Sequence, residues 1–254
     1  MAQSGSTLPR SSFGATTRRD AWWIEILPVV LVLGAFTVYA TWRTFENAYY
    51  EFDPYLSPFY SPLIKSRWWP FSPAILILWA PLGFRATCYY YRKAYYRAFF
   101  LDPPACAVGE SHPHRYLGET RFPFILQNLH RYFLYVALIF LIILWYDAIV
   151  AFWFPSAAGK HFGVGVGSLV LLANIVLLTG YALSCHSLRH IVGGSVDCFS
   201  CVVAGGPRHA AWRGASFLNE HHMLFAWLSL FSVGLADLYV RLVASGIIND
   251  IRLL

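Results

Sequence analysis

The sequence predicts an all-α integral membrane protein with five transmembrane helices, a cytoplasmic N-terminus and an interfacial segment on the outer face. Three observations carry this. Of 254 residues, 57% are hydrophobic and only 13% charged, with a mean hydropathy of +0.50, more apolar surface than a soluble core of this size can hold. The apolar residues form long runs, each close to the roughly 20 residues that cross a hydrocarbon core of about 30 Å. Lysine and arginine divide unequally between the loops. Arg10, Arg18, Arg19, Arg92, Lys93, Arg97, Arg115, Arg121, Arg131, Arg189, Arg208 and Arg213 fall on one side; Arg43, Lys65, Arg67, Lys160, Arg241 and Arg252 fall on the other, and Arg85 lies inside a span. The richer side is cytoplasmic by the positive-inside rule. Topology thus accounts for the net charge of +6, and no nucleic-acid partner is needed to explain it.

Residues 1–20 are polar and lack the apolar stretch of a signal peptide, so they read as a cytoplasmic arm. Residues 21–254 form the transmembrane domain, with spans expected at 22–42, 72–91, 124–150, 164–188 and 220–245. Between the first two, residues 43–71 contain Tyr49, Tyr50, Phe52, Tyr55, Phe59, Tyr60, Trp68, Trp69 and four prolines. Proline interrupts a spanning helix there, and aromatic rings favour the headgroup layer, so this segment is expected to lie along the outer membrane surface among the lipids. Tyr89 to Arg97 read as the aromatic and basic inner end of the second helix. Asp147 and Asp237 fall towards outer ends of spans, where interfacial exposure explains them. No internal repeat is evident.

The most concentrated chemistry is Cys185-His186-Ser187-Leu188-Arg189-His190 followed by Cys198-Phe199-Ser200-Cys201, five potential metal ligands in seventeen residues. His186 and His190, four apart, share a helical face, and a Cys-x-x-Cys loop places two thiolates on one metal. All five cysteines and every histidine except His161 lie at or near the cytoplasmic side, including His112, His114 and His209. Disulfides are rare in that reducing compartment, which favours metal. The expected ligands are Cys198 and Cys201 on one iron, His186 and His190 on the other. Second in rank come Cys185, about 100° round the helix from His186, the adjacent His221 and His222, of which one at most faces a common site, and His130, beside Arg131. Cys88 and Cys106 are isolated and read as packed thiols.

Two cysteines and two histidines suit structural zinc or a Rieske-type [2Fe–2S] cluster, whose potential of about −150 to +300 mV suits electron delivery to quinone. Iron–sulfur is favoured, since a bundle in lipid has little need of folding energy from zinc; haem between two histidines ranks third. An apolar slot with a few donors for quinone is expected among Arg19, Trp22, Trp23, Tyr132 and His222.

His186-Ser187-Leu188-Arg189-His190 at the inner end of a span resembles the G-x-R-H stretch of succinate dehydrogenase membrane anchors. The five-helix topology and the pattern from Cys185 to Cys201 resemble, more narrowly, the haem-lacking anchors of actinobacterial succinate dehydrogenases (complex II). The resemblance implies a plasma-membrane subunit holding flavoprotein and iron–sulfur subunits, a membrane-embedded Rieske-type cluster, and electron transfer to quinone; it also allows a higher oligomer of the complex. Leu183 stands seven residues before His190, where haem-bearing relatives have histidine, which argues against haem b. The rival classes are a haem-binding cytochrome b-type anchor, for which helices one and two offer no histidine, and a scaffold or transporter with structural zinc.

Overall fold

The computed structural model describes residues 12–110, 120–122, 124–157 and 159–254. Most of the expected arm, with Arg10, and also His112, His114 and Arg115, lie outside the described residues.

Among the described residues, four helices are long and apolar enough to cross a membrane: Trp22–Glu46, Phe124–Val150, Val166–Leu183 and His222–Ala244. The first is a 3-10 turn, Trp22–Glu25, leading into α1 (Ile26–Glu46), which ends where Asn47 adopts a left-handed conformation at φ 51°, one that asparagine tolerates. The span expected at 72–91 is different. Its helix, α2, covers only Ala74–Ala86, and at roughly 1.5 Å of rise per residue it is about 20 Å long, short of a bilayer core. The Thr87 hydroxyl bonds back to the Gly83 carbonyl at 2.7 Å, and Cys88 turns extended at φ −63°, ψ 129° before α3 (Tyr89–Tyr95) begins.

After α4 (His130–Val150), α5 (Val166–Leu183) ends in the same way. The Ser184 hydroxyl bonds back to the Tyr181 carbonyl at 2.9 Å, Cys185 is extended at φ −63°, ψ 135°, and α6 (His186–Arg189) follows. Local side-chain bonding of this kind competes with helix continuation. A polar helix that the hydropathy pattern does not reveal, α7 (Gly205–Glu220), then lies against α6; Asn219 Nδ2 donates to the Ser184 carbonyl at 2.7 Å, satisfying a free acceptor at the end of α5. The last span is α8 (His222–Ala244). α5 packs along α8 and α4, and α2 along α4.

Residues 43–71 do not simply lie on a surface. They fold into a hairpin, β1 (Glu51–Phe52) with β2 (Tyr55–Leu56), and a 3-10 turn at Pro58–Tyr60, burying Tyr55, Phe59 and Tyr60 in the bundle end opposite the N-terminus of α1. Their polar atoms find partners there: Tyr60 Oη donates to the Arg43 carbonyl at 2.9 Å and Tyr55 Oη to Asp250 at 2.7 Å. Of the expected interfacial aromatics, Trp68, Tyr49 and Phe52 stay exposed, Trp68 the most at 74%. Asp237, expected at an exposed interface, is wholly buried between Arg241 Nε at 2.9 Å, Tyr39 Oη at 2.6 Å and Ser57. A second antiparallel hairpin, β3 (Trp153–Ser156) with β4 (Gly159–Phe162), joins α4 to α5.

Candidate metal centre

The two helix breaks bring two cysteines and two histidines together. Cys88 and Cys185 are both buried in one apolar cluster with Phe84, Tyr91, Leu134, Tyr181, Ala182 and Ala226. His130 and His222 are the first residues of α4 and α8. Nε2 of His130 lies 3.1 Å from Cys185 Sγ, and Nε2 of His222 lies 3.4 Å from Cys88 Sγ.

Each imidazole is held at its other nitrogen by a hydroxyl. His130 Nδ1 is 2.9 Å from Thr87 Oγ1, and His222 Nδ1 is 2.7 Å from Ser184 Oγ. Both hydroxyls already spend their single proton on a backbone carbonyl, Gly83 and Tyr181. They must therefore accept from Nδ1–H. That fixes the tautomer and leaves the lone pair of each Nε2 directed at the sulfurs, the form in which a neutral imidazole ligates metal. A ring closes each histidine from behind: Phe84 stacks on His130 at 4.8 Å, and Tyr181 on His222 at 5.2 Å.

These parts repeat. Gly83-Phe84-Arg85-Ala86-Thr87-Cys88 corresponds to Gly180-Tyr181-Ala182-Leu183-Ser184-Cys185, and His130 with Phe133 corresponds to His222 with Phe225. The rings of Phe133 and Phe225 lie where a Cβ on Gly83 or Gly180 would stand, so glycine permits the close approach. Each half holds its own histidine and aims it at the other half's cysteine. The sequence reading expects no repeat; the structure shows one, six residues long at the helix ends and invisible to hydropathy.

Among the described residues, no three or more His, Cys, Asp or Glu side chains converge as a single metal ion requires. Two Cys–His pairs are a different geometry. A two-iron cluster spreads its four protein ligands over two metals, and two thiolates with two imidazoles are the Rieske complement. The residues fit such a group.

The family model described as actinobacterial succinate dehydrogenase subunit SdhC matches residues 24–246. A chain in the solved structure "Mycobacterium smegmatis Sdh1 complex in the apo form" is 43% identical, with a TM-score of 0.86, covering 100% of this chain and 98% of that one. No curated protein matches. The chain belongs to the SdhC family. It is accordingly a non-catalytic membrane-anchor subunit of succinate dehydrogenase, multi-pass in the plasma membrane.

Within this SdhC fold the ligand set expected from sequence is not assembled. Cys198 and Cys201 are bonded to each other, so their sulfurs are not thiolates. His186 and His190 are exposed; His190 Nδ1 instead accepts from Arg131 at 3.1 Å. A single helical face carries these histidines away from the buried cysteines. Of the adjacent pair, His222 turns inward, while His221 is exposed with Nδ1 3.2 Å from the Phe217 carbonyl. Cys185 and His130 occupy the centre. Cys88 is the ligand candidate that sequence reasoning set aside; its signal was the repeated Thr/Ser-Cys at a helix end.

Two cavities flank the centre. A polar one of about 350 Å³ is lined by Gln127, Asn128, His130, Arg131, Tyr132 and Ser187. An apolar one of about 450 Å³ includes Phe36, Ile77, Phe84, Arg85, Leu141 and Tyr181 in its wall. Of the expected quinone residues, Tyr132 and His222 are near the centre. Among the described residues no hydrogen bond, ion pair or ring contact joins Arg19, Trp22 or Trp23 to either, and Trp23 is 55% exposed.

Proposed function

We propose that this subunit holds a Rieske-type [2Fe–2S] cluster between Cys88, Cys185, His130 and His222 and carries electrons from the iron–sulfur subunit of succinate dehydrogenase to quinone. The observation that carries the reading is the crossed pair of Nε2-to-sulfur contacts, each with its tautomer set by a hydroxyl. Such a cluster supplies one-electron transfer at potentials within reach of quinones. The protein's own share is positional. Thr87 and Ser184 orient the imidazoles, and Phe84 and Tyr181 exclude water from behind them.

The unequal division of lysine and arginine supports a cytoplasmic N-terminus. In that orientation the centre faces the cytoplasmic side, where flavoprotein and iron–sulfur subunits would dock, and His130 also lines the polar cavity. The apolar cavity takes the quinone: its volume is in the range of small-molecule sites, and Phe84 and Tyr181 each stand one ring away from an imidazole.

Metal analysis with EPR of the purified, reduced complex tests the reading. Iron with a Rieske-like signal and no haem Soret band is expected from this subunit. Stoichiometric zinc in place of iron, or a haem band assigned to it, would sink the proposal.

A further inference from the structure

Arg85 breaks the internal repeat. Its counterpart in the second half is Ala182, so the local fold does not require a cation at this position. The guanidinium is nonetheless fixed in place. One terminal nitrogen donates to Tyr91 Oη at 2.6 Å and to the Ala226 carbonyl at 3.3 Å, the other to Ser229 Oγ at 2.9 Å. Its carbon lies 4.7 Å from the centroid of Tyr181, the ring that stacks on His222.

Every one of these partners is neutral. Among the described residues no carboxylate pairs with Arg85, whereas Arg241, at the other end of the bundle, pairs with both Asp237 and Glu46. An unpaired charge within a membrane bundle is expensive and generally functional.

What would compensate it follows from electron counting at the proposed centre. Two ferric ions, two sulfides and two thiolates sum to zero with neutral imidazoles. One added electron therefore leaves a net negative charge beside the guanidinium.

We propose that Arg85 is the fixed counter-charge of the reduced cluster and sets its potential by favouring the reduced form. This rests on the cluster reading above. Arg85 is thus a tuning residue that acts across the Tyr181 ring rather than a ligand.

The test is potentiometric EPR titration of the cluster in the intact complex, comparing wild type with R85Q and R85K. In R85Q the ratio of reduced to oxidised cluster at a given ambient potential is expected to fall at least tenfold, about 59 mV for a one-electron couple. R85K, which keeps the charge, is expected to stay within about threefold of wild type, or about 28 mV by the same relation. A wild-type potential in R85Q overturns the inference, whether or not quinone affinity changes. So does an equal fall in R85K, which would assign the effect to shape rather than charge. If R85Q does not assemble, R85K alone decides: near-wild-type potential supports the inference and a tenfold fall overturns it. Absence of any cluster signal in wild type would instead defeat the reading on which the inference rests.

Discussion

His130 Nε2 lies 3.1 Å from Cys185 Sγ, and the two residues belong to different halves of the repeated unit. His130 is held by Thr87 of its own half, just as His222 is held by Ser184. Neither half is complete alone. The site forms only when α2 with α4 and α5 with α8 pack together, which ties cluster binding to correct assembly of the bundle.

The first consequence concerns the cysteines. C88A or C185A is expected to abolish the cluster EPR signal, because each removes a thiolate from a buried site with no substitute. C198A/C201A is expected to keep it. Equal loss in all of these variants would show that the Cys198–Cys201 pair also serves the cluster.

A second concerns the hydroxyls. T87V and S184A remove the acceptor that holds Nδ1–H, and partners of this kind typically contribute 10- to 100-fold in metal affinity or activity. Cluster occupancy, measured as iron per complex under a chelator challenge, is expected to fall by roughly that factor, with T87S close to wild type. Unchanged occupancy in both T87V and S184A would remove the hydroxyls from the account.

Close approach of the helices gives a third. In G83A or G180A the new Cβ meets the ring of Phe133 or Phe225, and overpacking of this kind costs about 1–3 kcal/mol. Thermal unfolding of the complex in detergent is expected to begin at lower temperature in both variants, with the cluster signal weakened.

The buried pair at the far end supplies a contrasting case. D237N leaves Arg241, 3% exposed, without one of its two carboxylate partners, and breaking a buried pair typically costs about 3–5 kcal/mol. Reduced stability with an unaltered cluster spectrum is expected. An altered g-value pattern in D237N would mean that the two ends of the bundle are coupled.

Hydropathy was enough to find the four long helices, since transfer of about 20 apolar residues is a property of composition. It could not find the breaks at Cys88 and Cys185. Those depend on Thr87 and Ser184 bonding back to carbonyls, and on a change of ψ that leaves the apolar character of the run untouched. The membrane class was legible for the same reason, since long apolar runs and charge asymmetry are additive along the chain, whereas the resemblance to succinate dehydrogenase anchors rested on that topology together with the Arg189-His190 stretch and the pattern from Cys185 to Cys201.

The ligands were less so. Local density drew attention to His186, His190, Cys198 and Cys201, whereas a buried site draws one residue from each of several helices. His130, Cys185 and His222 were visible only as second choices. Cys88 was legible only through its correspondence with Cys185, once Phe84 and Tyr181 or Gly83 and Gly180 are compared position by position. Tyr55 and Tyr60 read as surface aromatics because alternating prolines mark an irregular segment without saying whether it folds outward or back into the bundle.

The most direct test of the account is pulsed EPR of the reduced complex carrying ¹⁵N-labelled histidine. Two strongly coupled imidazole nitrogens are expected in wild type and in H186A/H190A, whereas H130A/H222A is expected to lose the signal and quinone reduction while the soluble partners still oxidise succinate with an artificial acceptor. A cluster that survives H130A/H222A, or that disappears in H186A/H190A, would contradict it.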